Sequence, residues 1–120
     1  MNIQKLKEEW SEENTDMTSE DSIDRLILLI GKWHHDRNLI DGSDDKTQCL
    51  KLGSEFGELC DNIAKGRDIR DDLGDMMVVM INIMNRNEIT MLECLQKAYN
   101  DIKDRKGRMI NGTFVKEKDL

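Results

Sequence analysis

The amino-acid sequence predicts an all-α protein, on three observations. There is no proline in 120 residues, so nothing forces a helix to stop except glycine and short polar clusters. Apolar residues recur at three- and four-residue steps through four long stretches, and no stretch alternates with period two. Charged residues make up 36% of the chain and aromatics only 4%, a composition suited to amphipathic helices around one modest core. The length of 120 residues predicts a single domain. The expected layout is an N-terminal arm over residues 1–20, then a four-helix domain over 21–120 that ends in an extended tail.

The arm is acidic and poor in core-forming residues, with Trp10 as its one large apolar anchor. A loose or docked segment with at most one helical turn is expected there. Thr18 and Ser19 offer N-caps for the first long helix, Asp21 to about Arg37. Ile23, Leu26, Ile27, Ile30 and Trp33 give it a buried face, widened by Leu28 and Leu29. His34 and His35 point about 100° apart on a helix and cannot both serve one metal, so surface or partly buried side chains are expected. Trp33 has two readings: a core residue, or a stacking wall for a planar base.

Asn38–Asp45 collects Asn, Asp, Gly and Ser and is expected to be a loop. The second long helix runs from about Lys46 to Lys65, with Leu52, Phe56, Leu59 and Ile63 as its expected core stripe. Gly53 and Gly57 each cost that helix about 1 kcal/mol, which is easier to accept where a neighbouring helix approaches closely. The third, about Ile69 to Arg86, is apolar nearly all round in its second half. That pattern implies a central position, enclosed either by the other helices or by a second subunit. Thr90 and Glu93 form a capping box that opens the fourth helix, with Ile89 set to staple onto Cys94. Beyond Ile102, Gly107 and Gly112 mark turns, and Ile110, Thr113, Phe114 and Val115 are expected to dock as an extended tail.

The chain carries a net charge of −7, which argues against duplex nucleic acid as a partner. Cys49, Cys60 and Cys94 are three in number and none forms a C-x-x-C unit, so buried reduced thiols are expected. The opening MNIQKLKEEW has no apolar signal segment, and the longest apolar run, Met76–Ile81, is too short to span a bilayer. A cytoplasmic protein without membrane contact is therefore expected.

Two acidic pairs stand out, Glu55-x-x-Glu58 and Asp72-x-x-Asp75. Spacing of i,i+3 puts both carboxylates of a pair on one helix face. Counted from Lys65, Glu58 and Asp72 are seven residues out, while Glu55 and Asp75 are ten out. In a helical hairpin that turns at Gly66, the four acids fall at two matched heights and face one another. Two carboxylates ~4 Å apart repel by about 4 kcal/mol at an effective dielectric near 20, so four need protons or a cation. Oxygen ligands without Cys or His point to Mg²⁺ or Mn²⁺. The competing reading is a solvated acidic face. Against it, Gln48, Lys51, Glu55 and Glu58 form one polar stripe on an otherwise apolar helix, and Asp72, Asp75, Val79 and Asn82 repeat those offsets. From Lys97 to Lys118 seven basic residues face three acids, which either complement a helix C-terminus or hold phosphate.

The two-part motif, Glu55-Phe-Gly-Glu58 then Asp72-Leu-Gly-Asp75, resembles that of the MazG-like nucleoside triphosphate pyrophosphohydrolases, the all-α superfamily that includes dimeric dUTPases. The flanks KLGSEFGEL and DDLGDMMVVMINI and the tail AYNDIKDRKGRMINGTFVKE extend the resemblance over about Ile23 to Glu117. It implies a four-helix MazG-like bundle completed as a homodimer or homotetramer. It also implies Mg²⁺-dependent hydrolysis of a nucleoside triphosphate to monophosphate and pyrophosphate, a nucleotide-pool cleaning activity. Carried over, Glu55, Glu58, Asp72 and Asp75 are metal ligands and the catalytic set. Lys51, Lys103, Arg105 and Lys106 are phosphate contacts, and Asn82, Tyr99 and Asn100 are polar contacts; Trp33 keeps its reading as a base-stacking wall from its own residues, outside the resemblance. Asp72 stands where the family often has Glu, and its shorter reach implies that it acts either through water or from behind the direct ligands. Ser54 stands where many relatives have another acid, which lowers the expected metal count. The rival reading is a non-catalytic helical module that binds a nucleotide or protein and keeps the acidic site. A di-iron bundle is set aside, because neither histidine follows a Glu by three positions.

Overall fold

A computed structural model describes residues 1–16, 18 and 21–120. They are mostly helical: five helices and one two-stranded sheet, divided into two compact units, Met1–Thr90 and Met91–Leu120. The first unit holds α1 (Ile3–Glu12), α2 (Ile23–Asp36), α3 (Asp45–Ala64) and α4 (Arg70–Arg86).

Each helix of the first unit is bounded by identifiable chemistry. Asn2 caps α1 by accepting from the Gln4 and Lys5 amides at 2.9 and 3.2 Å. Ser22 caps α2 through the Arg25 amide at 3.1 Å, so the cap is neither Thr18 nor Ser19; Ser19 lies outside the described residues. Asp44 caps α3, and its bond from the Thr47 amide holds its carboxyl below the usual range. Three helices end alike. After α2, α3 and α4 a residue with positive φ (Asn38, Gly66 and Glu88) lets the next amide reach back to the last turn. At α3 the Gly66 amide donates to the Ile63 carbonyl and the Arg67 amide to the Asn62 carbonyl, which reverses the chain into α4.

The hairpin is antiparallel. Asp45, at the start of α3, accepts from Arg86 and Asn87 at the end of α4, while Asn62 near the end of α3 donates to Asp72 in the first turn of α4. Arg86 also donates to the Ile40 carbonyl, tying the α2–α3 loop to α4. The core comprises Trp10, Ile40, Val79 and Ile81, with the polar residues His34, Asn82 and Asn85 buried among them. Gly31 makes this packing possible: a Cβ there would meet the Trp10 ring at 2.6 Å and the Asn85 amide at 2.9 Å.

The arm is more ordered than expected. Residues 3–12 form a full helix that packs on α2, with Trp10 fully buried and Lys7 paired to Asp41 at 2.9 Å. Several burial expectations change. Phe56 and Ile63 are not core: Phe56 is 55% exposed, and with Leu50, Leu73 and Met77 they leave apolar surface uncovered. On α3 the stripe Cys49, Gly53, Phe56, Cys60, Ile63 runs on the opposite side from Glu55 and Glu58, so one helix carries two unlike faces. Cys49 and Cys60 are therefore exposed free thiols, and Cys94 is only partly covered. His34 is buried, against the expectation for it, with its ring edge-on to Trp33 at 5.7 Å between centroids, while His35 is the one beside Trp10, at 5.4 Å.

In the second unit α5 (Met91–Ile102) presents Leu92, Leu95, Tyr99 and Ile102 as exposed apolar residues. The tail is a β-hairpin, where a docked extended segment was expected. β1 (Gly107–Ile110) pairs antiparallel with β2 (Thr113–Lys116), Ile110 opposite Thr113. Asn111 and Gly112, at φ 51° and 82°, make the tight turn. A 3₁₀ turn over Glu117–Asp119 follows. Among the described residues no helix is long and apolar enough to cross a membrane.

Candidate metal centre

The α3–α4 hairpin brings three of the four expected acids together. Glu55, Glu58 and Asp75 each offer a carboxylate oxygen, all within 4.8 Å of one another. Spacing of i,i+3 puts Glu55 and Glu58 on one face of α3, and the antiparallel turn at Gly66 sets Asp75 opposite them.

The electrostatics show what this convergence costs. The charge of Glu55 is the largest influence raising the Glu58 pKa, followed by desolvation and a side-chain hydrogen bond with Glu55, with a smaller contribution from Asp72. Desolvation raises the Asp75 pKa, aided by the charges of Asp71, Glu55 and Asp72. Lys51 offsets part of this. Its ammonium lies 3.0 Å from Glu55 Oε1, and that bond raises its own pKa. Glu55 is 7% exposed, and its second oxygen, Oε2, is buried with no hydrogen-bond partner. A buried carboxylate oxygen without a partner is costly. Three converging carboxylates with such an oxygen, and no sulfur or imidazole among them, fit a hard divalent cation. The cluster can thus hold a metal ion.

Asp72 is outside this group. It is 6% exposed, and both its oxygens accept from the Asn62 side-chain amide, at 2.9 and 3.0 Å. Arg67 donates to Asn62 Oδ1 at 3.3 Å. Asn62 was missed in the sequence, although a signal was there: it sits four residues beyond Glu58 and continues the stripe Gln48, Lys51, Glu55, Glu58.

Beside the acids lies a cleft of about 740 Å³ between α2 and α4, lined by Leu26, Leu29, Ile30, Trp33, Val78 and Asp75 among others. Asp75 thus belongs to both the cluster and the cleft. Trp33 is 47% exposed, so of its two readings the core one is set aside. The Arg37 guanidinium lies over its ring, 4.4 Å from the centroid. Thr15, from the segment after α1, adds to the rim. Arg25 holds that segment by donating to the Asn14 and Asp16 carbonyls at 3.0 and 2.9 Å.

The remaining expected site residues divide. Asn82 is fully buried and donates to the Leu39 carbonyl at 2.9 Å, so it serves the core and does not line the cleft. Tyr99 and Asn100 on α5, and Lys103, Arg105 and Lys106 after it, belong to the second unit. There Asn100, Arg105 and Lys106 border a hollow of about 540 Å³ that Asp101, Asp104 and Glu117 also line, so its charge is mixed.

Over 69 residues the chain is 42% identical to an uncharacterized 18.2 kDa protein in the rep-hol intergenic region of Haemophilus phage HP1 (strain HP1c1). The match takes in 56% of this chain and 42% of that protein, so the chain spans less than half of its relative's length. No family model and no solved structure matches the chain.

Proposed function

We propose that this chain is a Mg²⁺-dependent nucleoside triphosphate pyrophosphohydrolase of the MazG-like kind, acting in the cytoplasm on the nucleotide pool. The observation that carries the proposal is the convergence of Glu55, Glu58 and Asp75 around the unpartnered Glu55 oxygen, at the edge of an apolar cleft with an exposed tryptophan. A polyphosphate needs a hard cation and a nucleobase a flat apolar wall, and Asp75, shared by the acidic cluster and the cleft, supports a reading in which one ligand meets both.

In this reading Glu55, Glu58 and Asp75 hold Mg²⁺, with Mn²⁺ as a substitute. When bound, the ion supplies charge neutralisation for the polyphosphate and acidifies the attacking water. Trp33 stacks on the base, and Arg37 must then share or yield the ring it now covers. Lys51 pairs with Glu55 Oε1 at 3.0 Å and so orients that carboxylate, leaving Oε2 for the ion. Tyr99, Asn100, Lys103, Arg105 and Lys106 belong to the second unit, and no role at the metal centre is assigned to them. Water adds to the α- or β-phosphorus, the α–β phosphoanhydride bond breaks, the bridging oxygen leaves with the other phosphorus, the water's proton is released to solvent, and monophosphate and pyrophosphate depart. The uncovered apolar faces of α3, α4 and α5 support assembly of the MazG-like bundle as a homodimer or homotetramer.

The test is pyrophosphate release from a panel of ribo- and deoxynucleoside triphosphates, with and without Mg²⁺. Release that requires Mg²⁺ is expected for at least one substrate. Loss of partners beyond a metal's direct ligands already costs about 10–100-fold, so Glu55→Gln should cost more than about a hundredfold. No release from any triphosphate would overturn the enzymatic reading and leave a non-catalytic module that binds nucleotide or protein.

A further inference from the structure

Glu58 and Asp72 stand at equal distances from the hairpin turn, yet the structure treats them differently. Glu58 is exposed and joins the carboxylate cluster; Asp72 is buried and does not. What separates them is the Asn62 side-chain amide. Its one nitrogen reaches both Asp72 oxygens, at 2.9 and 3.0 Å, so rotating the Asp72 carboxylate cannot free one oxygen without breaking a buried bond. The amide is itself held. Asn62 Oδ1 accepts from the Arg67 guanidinium at 3.3 Å, and the Asn62 backbone carbonyl accepts from the Arg67 amide at 3.0 Å. With Oδ1 taken by the Arg67 guanidinium, the Asn62 amide turns its nitrogen to Asp72.

We propose that Asn62 is a positioning residue that holds Asp72 back from the cation, so that the centre takes its metal on Glu55, Glu58 and Asp75 alone. Asp72 then acts on the site only through its charge, one helical turn away on α4. This rests on the metal reading above and adds to it a limit on ligand number. Ligand charge count sets the affinity of carboxylate sites, so releasing Asp72 should tighten binding. A residue that merely staples two helices would do the opposite: its removal would loosen the site.

The experiment is Mn²⁺ binding to the full chain, followed by electron paramagnetic resonance, with circular dichroism as a check on folding. Wild type should bind Mn²⁺, and Glu55→Gln should abolish that binding. Asn62→Ala should bind at least about tenfold tighter, or take a second ion, and Asn62→Ala with Asp72→Asn should lose that gain. Unchanged or weaker binding by folded Asn62→Ala would overturn the proposal while leaving the metal centre standing. Should Asn62→Ala fail to fold, Asp72→Asn alone decides. A loss under about tenfold supports the proposal, and a loss as large as that of Glu55→Gln overturns it by making Asp72 a direct ligand. Wild type that binds no Mn²⁺ would sink the metal reading, and this inference with it.

Discussion

Two regions of the first unit leave polar atoms buried without a protein partner, and they do so in different ways. In the core these are Trp10 Nε1, His34 Nδ1 and Asn82 Oδ1; in the acidic cluster it is Glu55 Oε2. Each such group costs about 1–3 kcal/mol. The core atoms belong to groups that are neutral or can become so, and His34 does, its pKa pushed down to about 4 by burial. In the cluster like charges converge: the Glu55 charge raises the Glu58 pKa, and burial together with neighbouring carboxylates raises that of Asp75. Glu55, Glu58 and Asp75 outnumber Lys51, and Asp72 adds its charge from nearby. An unpartnered buried atom therefore says little about a ligand by itself. It becomes informative where like charges converge on it, because an added cation can satisfy the atom and the charges together.

The strongest way to test the structural half of this contrast is Trp10→Ala. Trp10 is fully buried and fills the space against Gly31 that joins α1, α2 and α4. Truncating a buried tryptophan costs about 3–5 kcal/mol. Chemical denaturation should show that loss, while the folded variant keeps the Mn²⁺ affinity of wild type. A matching drop in affinity would mean that the core and the cluster are one system, and the contrast would fail.

His34 sharpens the same contrast through pH. Its ordinary pKa of 6.5 falls to about 4 in the fold, so the unfolded chain binds more protons between those values. Its contribution is complete above about pH 6.5 and is lost as pH falls toward 4. The full span is on the order of 3 kcal/mol. Denaturation midpoints measured from pH 7 to pH 4 should fall accordingly, and His34→Phe should flatten that slope. An equally steep fall in the variant would assign the acid sensitivity to carboxylates instead.

Much of this was legible in the residues, and the failures share a cause. Gly66, the i,i+3 acid pairs and the apolar runs are local signals, and the hairpin with its converging carboxylates follows from them. Asn38 also suits a left-handed helix end, but Glu88 at φ 56° does not announce one. The β-hairpin had a local signal that was passed over: Asn111-Gly112 between Ile110 and Thr113. Phe56, Ile63, Cys49 and Cys60 were misplaced for another reason. A helical pattern shows that a face is apolar, not what covers it, and α3 has an apolar stripe turned away from its polar one. The shorter reach of Asp72 set it apart in the sequence, but the Asn62 amide that holds it emerged only from side-chain contacts across the hairpin.

The smallest effect expected is the one most specific to the cluster. The Glu58 pKa is raised, chiefly by the charge of Glu55, so its ionised form is disfavoured in the fold. A carboxyl whose folded pKa lies above its unfolded value contributes stability at low pH and loses it as pH rises through the folded value. At neutral pH ionised Glu58 is thus a slight burden on the metal-free chain. Glu58→Gln removes that charge and should raise the thermal midpoint at pH 7 by a small amount without metal. Added Mg²⁺ should reverse the order, raising the wild-type midpoint more than that of the variant, because ligands that bind only the folded state stabilise it in proportion to their affinity. A variant less stable than wild type without metal would show that Glu58 is held by favourable contacts and is not strained by its neighbours. The acids would then be a solvated face, with no call for a cation.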